Sequence, residues 1–433
     1  QRMFRGNKGA IRTTKPQLSP VPSRAAISSV SDWRIAALAE ASKTEGDRRL
    51  LAGLITHPGT KPLAQAIDAG VRITHARAHG ESFGPAEGVL ISPAVAARLA
   101  LRFGAKHSWS PSQFETYAAC PYKFFLEQVL GLEPLGDLTL ETDFARRGSL
   151  LHHVLATFHR KFGESASNWS AVFRDEARFT TEIKQALQAA IDASPRDGIE
   201  AALLELDRRQ IDKWTDLYHG QHDKYDSAWT KSHINERPRP THFELRFGRK
   251  HPGEKGYEDP RSTDKPFDLK IGDETINIVG RIDRIDVGRA GDQTLFNVID
   301  YKSGRRPTLT HEKIESGERL QPALYVMAAQ ALVFNDENSA PLWSGYWSMQ
   351  SGVTTRKDYS LYCSVDGKPS QDWADLQQKV IARIAEIVRA TRHGDFQVDS
   401  HDANCTSYCD FKTICRIAQV RTTNKIPVPL ENK

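Results

Sequence analysis

Residues 280–304, GRIDRIDVGRAGDQTLFNVIDYKSG, hold the side chains best suited to chemistry. Two strands joined by a turn around 288–292 are predicted here. Side chains alternate along a strand, so Asp300 and Lys302 share a face with Phe296 and Val298 behind them. A hairpin centred near Gly291 sets Asp283 opposite Ile299 or Asp300. Two carboxylates and an ammonium then converge at one point of a sheet. Hard oxygen donors of this kind hold Mg²⁺ or Mn²⁺. A bound ion polarises a phosphate and acidifies a water, and an ammonium balances charge in the transition state. That set suits metal-assisted phosphodiester hydrolysis. Taken alone, Asp-x-Lys is a commonplace tripeptide, and Asp283 and Asp286 read equally as decoration of a strand.

Other elements must position these groups. Residues 144–162 form an amphipathic helix with Leu151, Leu155, Phe158 and Phe162 on one face. His152 falls ~60° from Leu155, at the rim of that face, and His153 falls ~160° away, toward solvent. His152 reads as a metal ligand or as a satisfied core histidine. Gln321 and Tyr325, four apart in the helix after the lysine strand, share a face. They read as support for the lysine, as DNA-positioning groups, or as ordinary packing.

The cysteines make a second cluster. Cys405, Cys409 and Cys415 fall within CTSYCDFKTIC, and Cys120 stands far upstream in ACPYKFF. Four thiolates suit a [4Fe-4S] cluster or tetrahedral zinc, and spacing does not choose between them. Either would staple the two ends of a domain together, closing a very long loop. Cys363, in an apolar strand pattern, reads as core.

The 433 residues carry 59 Lys+Arg, 54 Asp+Glu and 5 Cys, with 39% hydrophobic and 26% charged residues. This excludes collagen-like, disordered and disulfide-scaffold chains. No run approaches ~18 apolar residues, so no membrane span is expected, and with no N-terminal signal pattern the expected location is the cytoplasm. The +5 net charge divides into +9 over residues 1–108 and −4 over the rest. The basic segment reads as an arm on phosphates or as an interdomain surface. It is expected to hold an irregular stretch over 1–30, two or three short helices over 31–70 and another over 92–103. Ser110-Pro111-Ser112-Gln113 reads as a capping box opening a helix to about 119, and Pro121 opens the next, through Leu130. Residues 170–225 are expected to be helical, 241–247, 276–287, 294–302, 343–349 and 359–365 to be strands, and 320–334 and 372–391 to be helices. Residues around Pro238 and Pro240 are expected to be a loop.

In order, Cys-Pro-Tyr-Lys-Phe-Phe, Gly-x-x-x-His, Gly-Arg-Ile-Asp-Arg-Ile-Asp, Ile-Asp-Tyr-Lys-Ser-Gly, Gln-x-x-x-Tyr and the cysteine triplet resemble the RecB-type PD-(D/E)XK nucleases. They are most similar to the C-terminal iron–sulfur nuclease domain found in the B-type member of the two-component ATP-dependent helicase/nucleases, over roughly 108–420. The triplet differs in having three residues between its first two cysteines where the family usually has two. The resemblance implies an α/β, restriction-endonuclease-like core with a mixed central sheet flanked by helices. It implies a metal held by His152, Asp283 and Asp300, with the Tyr301 carbonyl as a further ligand, and Lys302 as the catalytic lysine. Gln321 and Tyr325 would support it, Glu244 matches a strand glutamate of the family, and Cys120, Cys405, Cys409 and Cys415 would bind a [4Fe-4S] cluster. The implied organisation is a helicase-like remnant with helical and irregular structure over 1–108, a nuclease over 109–420 and a tail over 421–433. The implied activity is an exonuclease acting on unwound DNA in double-strand-break repair, working with a helicase. A catalytically silent DNA-binding scaffold and a zinc-stapled module are the alternatives. No Walker-type loop occurs, so ATP hydrolysis is not expected of this chain.

Overall fold

The computed structural model describes residues 21–41, 48–133, 144–163, 165–193, 197–230, 234–248, 259–336, 338–365, 368–422 and 425–426. The irregular stretch expected over 1–30 and the tail over 421–433 therefore lie largely outside the described residues. The chain divides into two compact units, Gln1–Gly80 and Glu81–Lys433. The first holds helices α1 (Val30–Ala41), α2 (Arg49–Thr56) and α3 (Lys61–His79). Trp33 of α1 donates its indole N–H to the Leu50 carbonyl of α2 at 3.2 Å.

The second unit begins earlier than residue 108. Helix α4 (Pro93–Arg102) buries Leu99, and the chain after it buries Phe103, in the core used by the later helices. Strand β1 (Ser108–Trp109) follows, then α5 (Pro111–Ala119) and α6 (Pro121–Phe124). The expected capping box is formed: Ser110 accepts from the Gln113 amide, and the Gln113 side chain accepts from the Ser110 amide. Four helices come next: α7 (Phe144–Gly163), α8 (Ala166–Arg174), α9 (Glu176–Asp192) and α10 (Gly198–Ala228). Then come β2 (Glu236–Phe247), β3 (Phe267–Ile271), β4 (Glu274–Ile278), β5 (Gly280–Ala290) and β6 (Gln293–Lys302). The remaining elements used below are α11 (His311–Glu315), α12 (Gln321–Leu332), β7 (Ser339–Ser348), β8 (Ser360–Tyr362) and α13 (Gln371–His393).

Five strands form the central sheet in the order β2-β5-β6-β7-β8. It is mixed: β6 and β7 run parallel and the other neighbours antiparallel. The parallel pair follows from its connection, since the chain crosses over through α12 before returning. Successive residues of β6 serve opposite faces. Phe296 and Val298 pack with Ala323, Leu324 and Ile384 of α12 and α13, while Leu295 and Ile299 pack with Leu155, Phe158 and Trp214 of α7 and α10. Helices therefore cover both faces.

Two expectations are corrected. The strand over 276–287 breaks at Val279: its first part is β4, which belongs to a separate three-stranded sheet, β1-β4-β3. A continuous apolar pattern cannot reveal such a change of partner. The loop expected at Pro238 and Pro240 is strand, the start of β2. β2 is an edge strand with register shifts between 236 and 242, where proline's missing N–H is tolerated.

Candidate active site

Three neighbouring strands each place an acid at one level. The pairs Phe243↔Arg284 and Leu245↔Ile282 bracket Glu244 and Asp283, and Asp283 stands one step beyond Arg284↔Ile299, level with Asp300. Side chains at one level of adjacent strands point the same way. Helix α7 buries Leu151, Leu155, Phe158 and Phe162 against the sheet, which turns His152 to this row. Its Nδ1 lies 3.2 Å from Asp283 Oδ1 and 3.5 Å from Glu244 Oε1. Among the described residues, His152, Glu244 and Asp283 are the group of three whose ligand atoms fall within 4.8 Å of one another. His152 Nδ1 is buried and makes no well-formed hydrogen bond, which suits a nitrogen aimed at a cation. One imidazole and two carboxylates fit a hard divalent ion.

Asp300 is placed differently. Lys302 Nζ sits 2.6 Å from its Oδ2, and Gln321 Nε2 donates to its Oδ1 at 2.8 Å. The expected ligand set His152, Asp283 and Asp300 thus appears with Glu244 inside the close trio and Asp300 beside it. The Tyr301 amide donates to Asp283 Oδ2 at 2.9 Å. Tyr325 lies buried against the Phe247 ring.

The two aspartates are driven apart. Burial opposes ionisation of Asp283, but the His152 charge outweighs it and holds the carboxyl below its usual range. Burial raises Asp300 to about 6 against the pull of Lys302, with the Asp283 charge adding to the rise. Burial disfavours charge on His152, yet Asp283 and Glu244 carry it up to about 10. The Asp300 ion pair likewise overcomes burial to raise Lys302. Neighbouring acids with opposite shifts mark a site built for ionic chemistry.

Glu244 adopts φ +54°. A β-carbon in this region costs about 1–2 kcal/mol, and such strain gathers at functional positions.

Sequence reasoning missed two supports. Glu115, on α5, accepts the Gln321 amide at 2.9 Å and so anchors the start of α12 whose first side chain holds Asp300. Burial pushes its carboxyl up to about 7. Behind the sheet, fully buried Arg284 clamps Asp286 through two contacts, at 2.5 and 2.6 Å. Its other nitrogen donates to the hydroxyls of Tyr218 and Tyr301, each at 3.1 Å. Tyr301 is therefore fixed by its side chain while its amide holds Asp283. The buried polar positions at 284 and 286 were the available signal, and alternation along β5 marks them as facing the helices.

The four cysteines Cys120, Cys405, Cys409 and Cys415 line one cavity of about 680 Å³. The Lys123 amide donates to Cys120 Sγ at 3.4 Å, and Arg421 donates to Cys405 Sγ at 3.8 Å. Cys363 is buried core.

A mixed sheet carrying acids on adjacent strands, a lysine two residues after the last acid and a helical histidine beside them could hold a divalent ion against a phosphate. The sequence model of the PD-(D/E)XK nuclease superfamily matches residues 108–416, and the chain belongs to that superfamily. It is similar to a subunit of the ATP-dependent helicase/deoxyribonuclease of Moorella thermoacetica, 29% identical over 51% of this chain and 17% of that protein. The corresponding protein from Staphylococcus saprophyticus is 28% identical over 55% of this chain and 19% of its own length. That from Clostridium tetani is 24% identical over 72% and 30%. The chain thus spans less than a third of these relatives. Among the described residues no helix is long and apolar enough to cross a membrane.

Proposed function

We propose that the chain is a Mg²⁺- or Mn²⁺-dependent deoxyribonuclease that hydrolyses phosphodiester bonds as an exonuclease. The supporting observation is the row Glu244–Asp283–Asp300 with His152 above it and Lys302 against Asp300. His152, Glu244 and Asp283 would hold the ion, with Asp300 and the Tyr301 carbonyl completing the set. What a bound ion supplies is Lewis acidity toward the phosphate and a more acidic water. Lys302 holds its ammonium beside Asp300, where it orients the attacking water and balances charge on the phosphate. Gln321 fixes the second oxygen of Asp300, and Tyr325 supports Gln321 from the same helix face.

The relatives are named as components of a helicase/deoxyribonuclease. On that basis the chain acts with a helicase on unwound strands in cytoplasmic double-strand-break repair. Residues 1–108 would belong to the helicase-like part, 109–420 to the nuclease and 421–433 to a tail. The four cysteines would hold a [4Fe-4S] cluster, a reading supported by their lining one cavity.

The test is cleavage of end-labelled single-stranded DNA with Mg²⁺ or Mn²⁺. Asp300→Ala and Lys302→Ala are each expected to lower kcat by about 10²-fold or more. Equal cleavage by wild type and Asp300→Ala sinks the site assignment. A wild type that binds DNA without cutting it supports the silent scaffold.

A further inference from the structure

Asp283 and Arg284 are neighbours on β5, so their side chains leave opposite faces of the sheet. Asp283 stands in the acid row. Arg284 is paired across the strands with Ile299. It lies with Tyr218, Tyr301 and Trp347 on the face that α7 and α10 cover. Its fork is pinned on Asp286 at 2.5 and 2.6 Å. That pinning aims the remaining nitrogen at the Tyr301 hydroxyl, 3.1 Å away. From the same tyrosine, the backbone amide donates to Asp283 Oδ2 at 2.9 Å.

The path therefore closes on itself. It runs from Asp283 through the peptide to Arg284, across the guanidinium to the Tyr301 hydroxyl, and back by the Tyr301 amide to the Asp283 carboxylate. This circuit threads the sheet and ties β5 to β6 at the level of the acids. Its members are dry: Arg284 and Asp286 are 0% exposed, Tyr301 4% and Asp283 6%. Water is not at hand to replace a contact that lengthens. The circuit thus resists any change in the distance between the Asp283 carboxylate and the Asp300–Tyr301 peptide. Stiffness of this kind chooses among cations. Mg²⁺ demands near-octahedral donors at ~2.0–2.1 Å, whereas Ca²⁺ accepts about six to eight at ~2.3–2.6 Å in flexible arrangements. A site that cannot widen between two strands favours the smaller ion.

We propose that Arg284, acting through Tyr301, is a positioning residue that makes the metal site selective for small octahedral cations over Ca²⁺. The inference rests on the nuclease reading of the acid row and adds what sets its choice of ion.

The test uses the full chain and reads metal binding apart from cleavage. Mn²⁺, an octahedral stand-in for Mg²⁺, is titrated and followed by the loss of its free-ion EPR signal. Ca²⁺ affinity is read by competition against it, and Asp283→Asn supplies the background from binding elsewhere. Tyr301→Phe keeps the aromatic ring and opens the circuit. It is expected to weaken Mn²⁺ by about 10-fold and Ca²⁺ by less than about 3-fold. Tyr218→Phe is the control. It removes a hydroxyl from the same buried cluster, 2.9 Å from that of Tyr301 and 3.1 Å from Arg284, and leaves the circuit closed. Its ratio of affinities should match wild type although its stability falls. Equal losses for both ions in Tyr301→Phe, no loss for either, or the same shift in Tyr218→Phe overturns the proposal. If Tyr301→Phe fails to fold, Arg284→Lys decides by the same shift, since lysine lacks the fork that spans Asp286 and Tyr301. The shift without wild-type cleavage in Mg²⁺ or Mn²⁺ overturns the nuclease reading and leaves the circuit standing. Wild-type cleavage without the shift overturns the circuit alone.

Discussion

Glu115 and Glu244 show how single residues are committed to the site at a cost in stability. In the unfolded chain Glu115 ionises in the usual carboxylate range, whereas burial raises it to about 7 in the folded protein. Between those values the folded state holds the extra proton, so stability falls as pH rises through that window. The loss is on the order of 3 kcal/mol. Glu115→Gln should flatten the dependence, measured as urea midpoints from pH 5 to 8; a curve parallel to wild type would refute the assignment. Glu244 carries its side chain at φ +54°. Glu244→Gly is expected to be more stable than Glu244→Ala by about 1 kcal/mol, read by thermal unfolding, since only glycine relaxes in this region. Both should lose metal-dependent cleavage. Equal stability of the two would remove strain from the argument.

At the scale of elements, strands β2, β5 and β6 carry the acids and the helices behind them hold the strands still. Arg284, Asp286, Tyr218 and Tyr301 form one buried network. Removing one partner leaves the others unsatisfied in a dry core. Arg284→Met should cost about 3–5 kcal/mol by leaving Asp286 uncompensated, and Tyr301→Phe about 1–3 kcal/mol. Denaturant titration measures both, and a cost under about 0.5 kcal/mol for Arg284→Met would show that the network is slack. The placement of the acid row was legible because strand alternation is rigid: Asp300 and Lys302 share a face whatever surrounds them. His152 was legible because a helical stripe dictates what lies at its rim. Glu115 was not, since a glutamate in the middle of a short capped helix looks like any solvated acid until another helix is laid against it. The break at Val279 was hidden for a related reason: strand propensity says where a chain extends, not which sheet it joins.

At the scale of the molecule, the start and end of the second unit are joined in several places. Residues 82 and 426 pair as a bridge, Lys425 meets Glu87 at 2.9 Å in a buried ion pair, and Cys405 and Cys415 pack on a small core of Phe83, Val398, Ile417 and Val420. A cluster on the four cysteines would lock this junction. Purified protein is then expected to be brown with about four iron and four sulfide per chain, and Cys409→Ser to lose the colour and unfold at lower temperature. A colourless protein with one zinc per chain would reverse the assignment.

The two prolines at the start of β2 bear on how the molecule behaves in company. An edge strand presents donors and acceptors that a strand from another copy can join. Pro238 and Pro240 delete two of those donors from a strand that has only one partner in the central sheet. A sixth strand added there would meet gaps in its ladder and the register shifts beside them. That edge is thereby made a poor template for pairing with a strand from another copy.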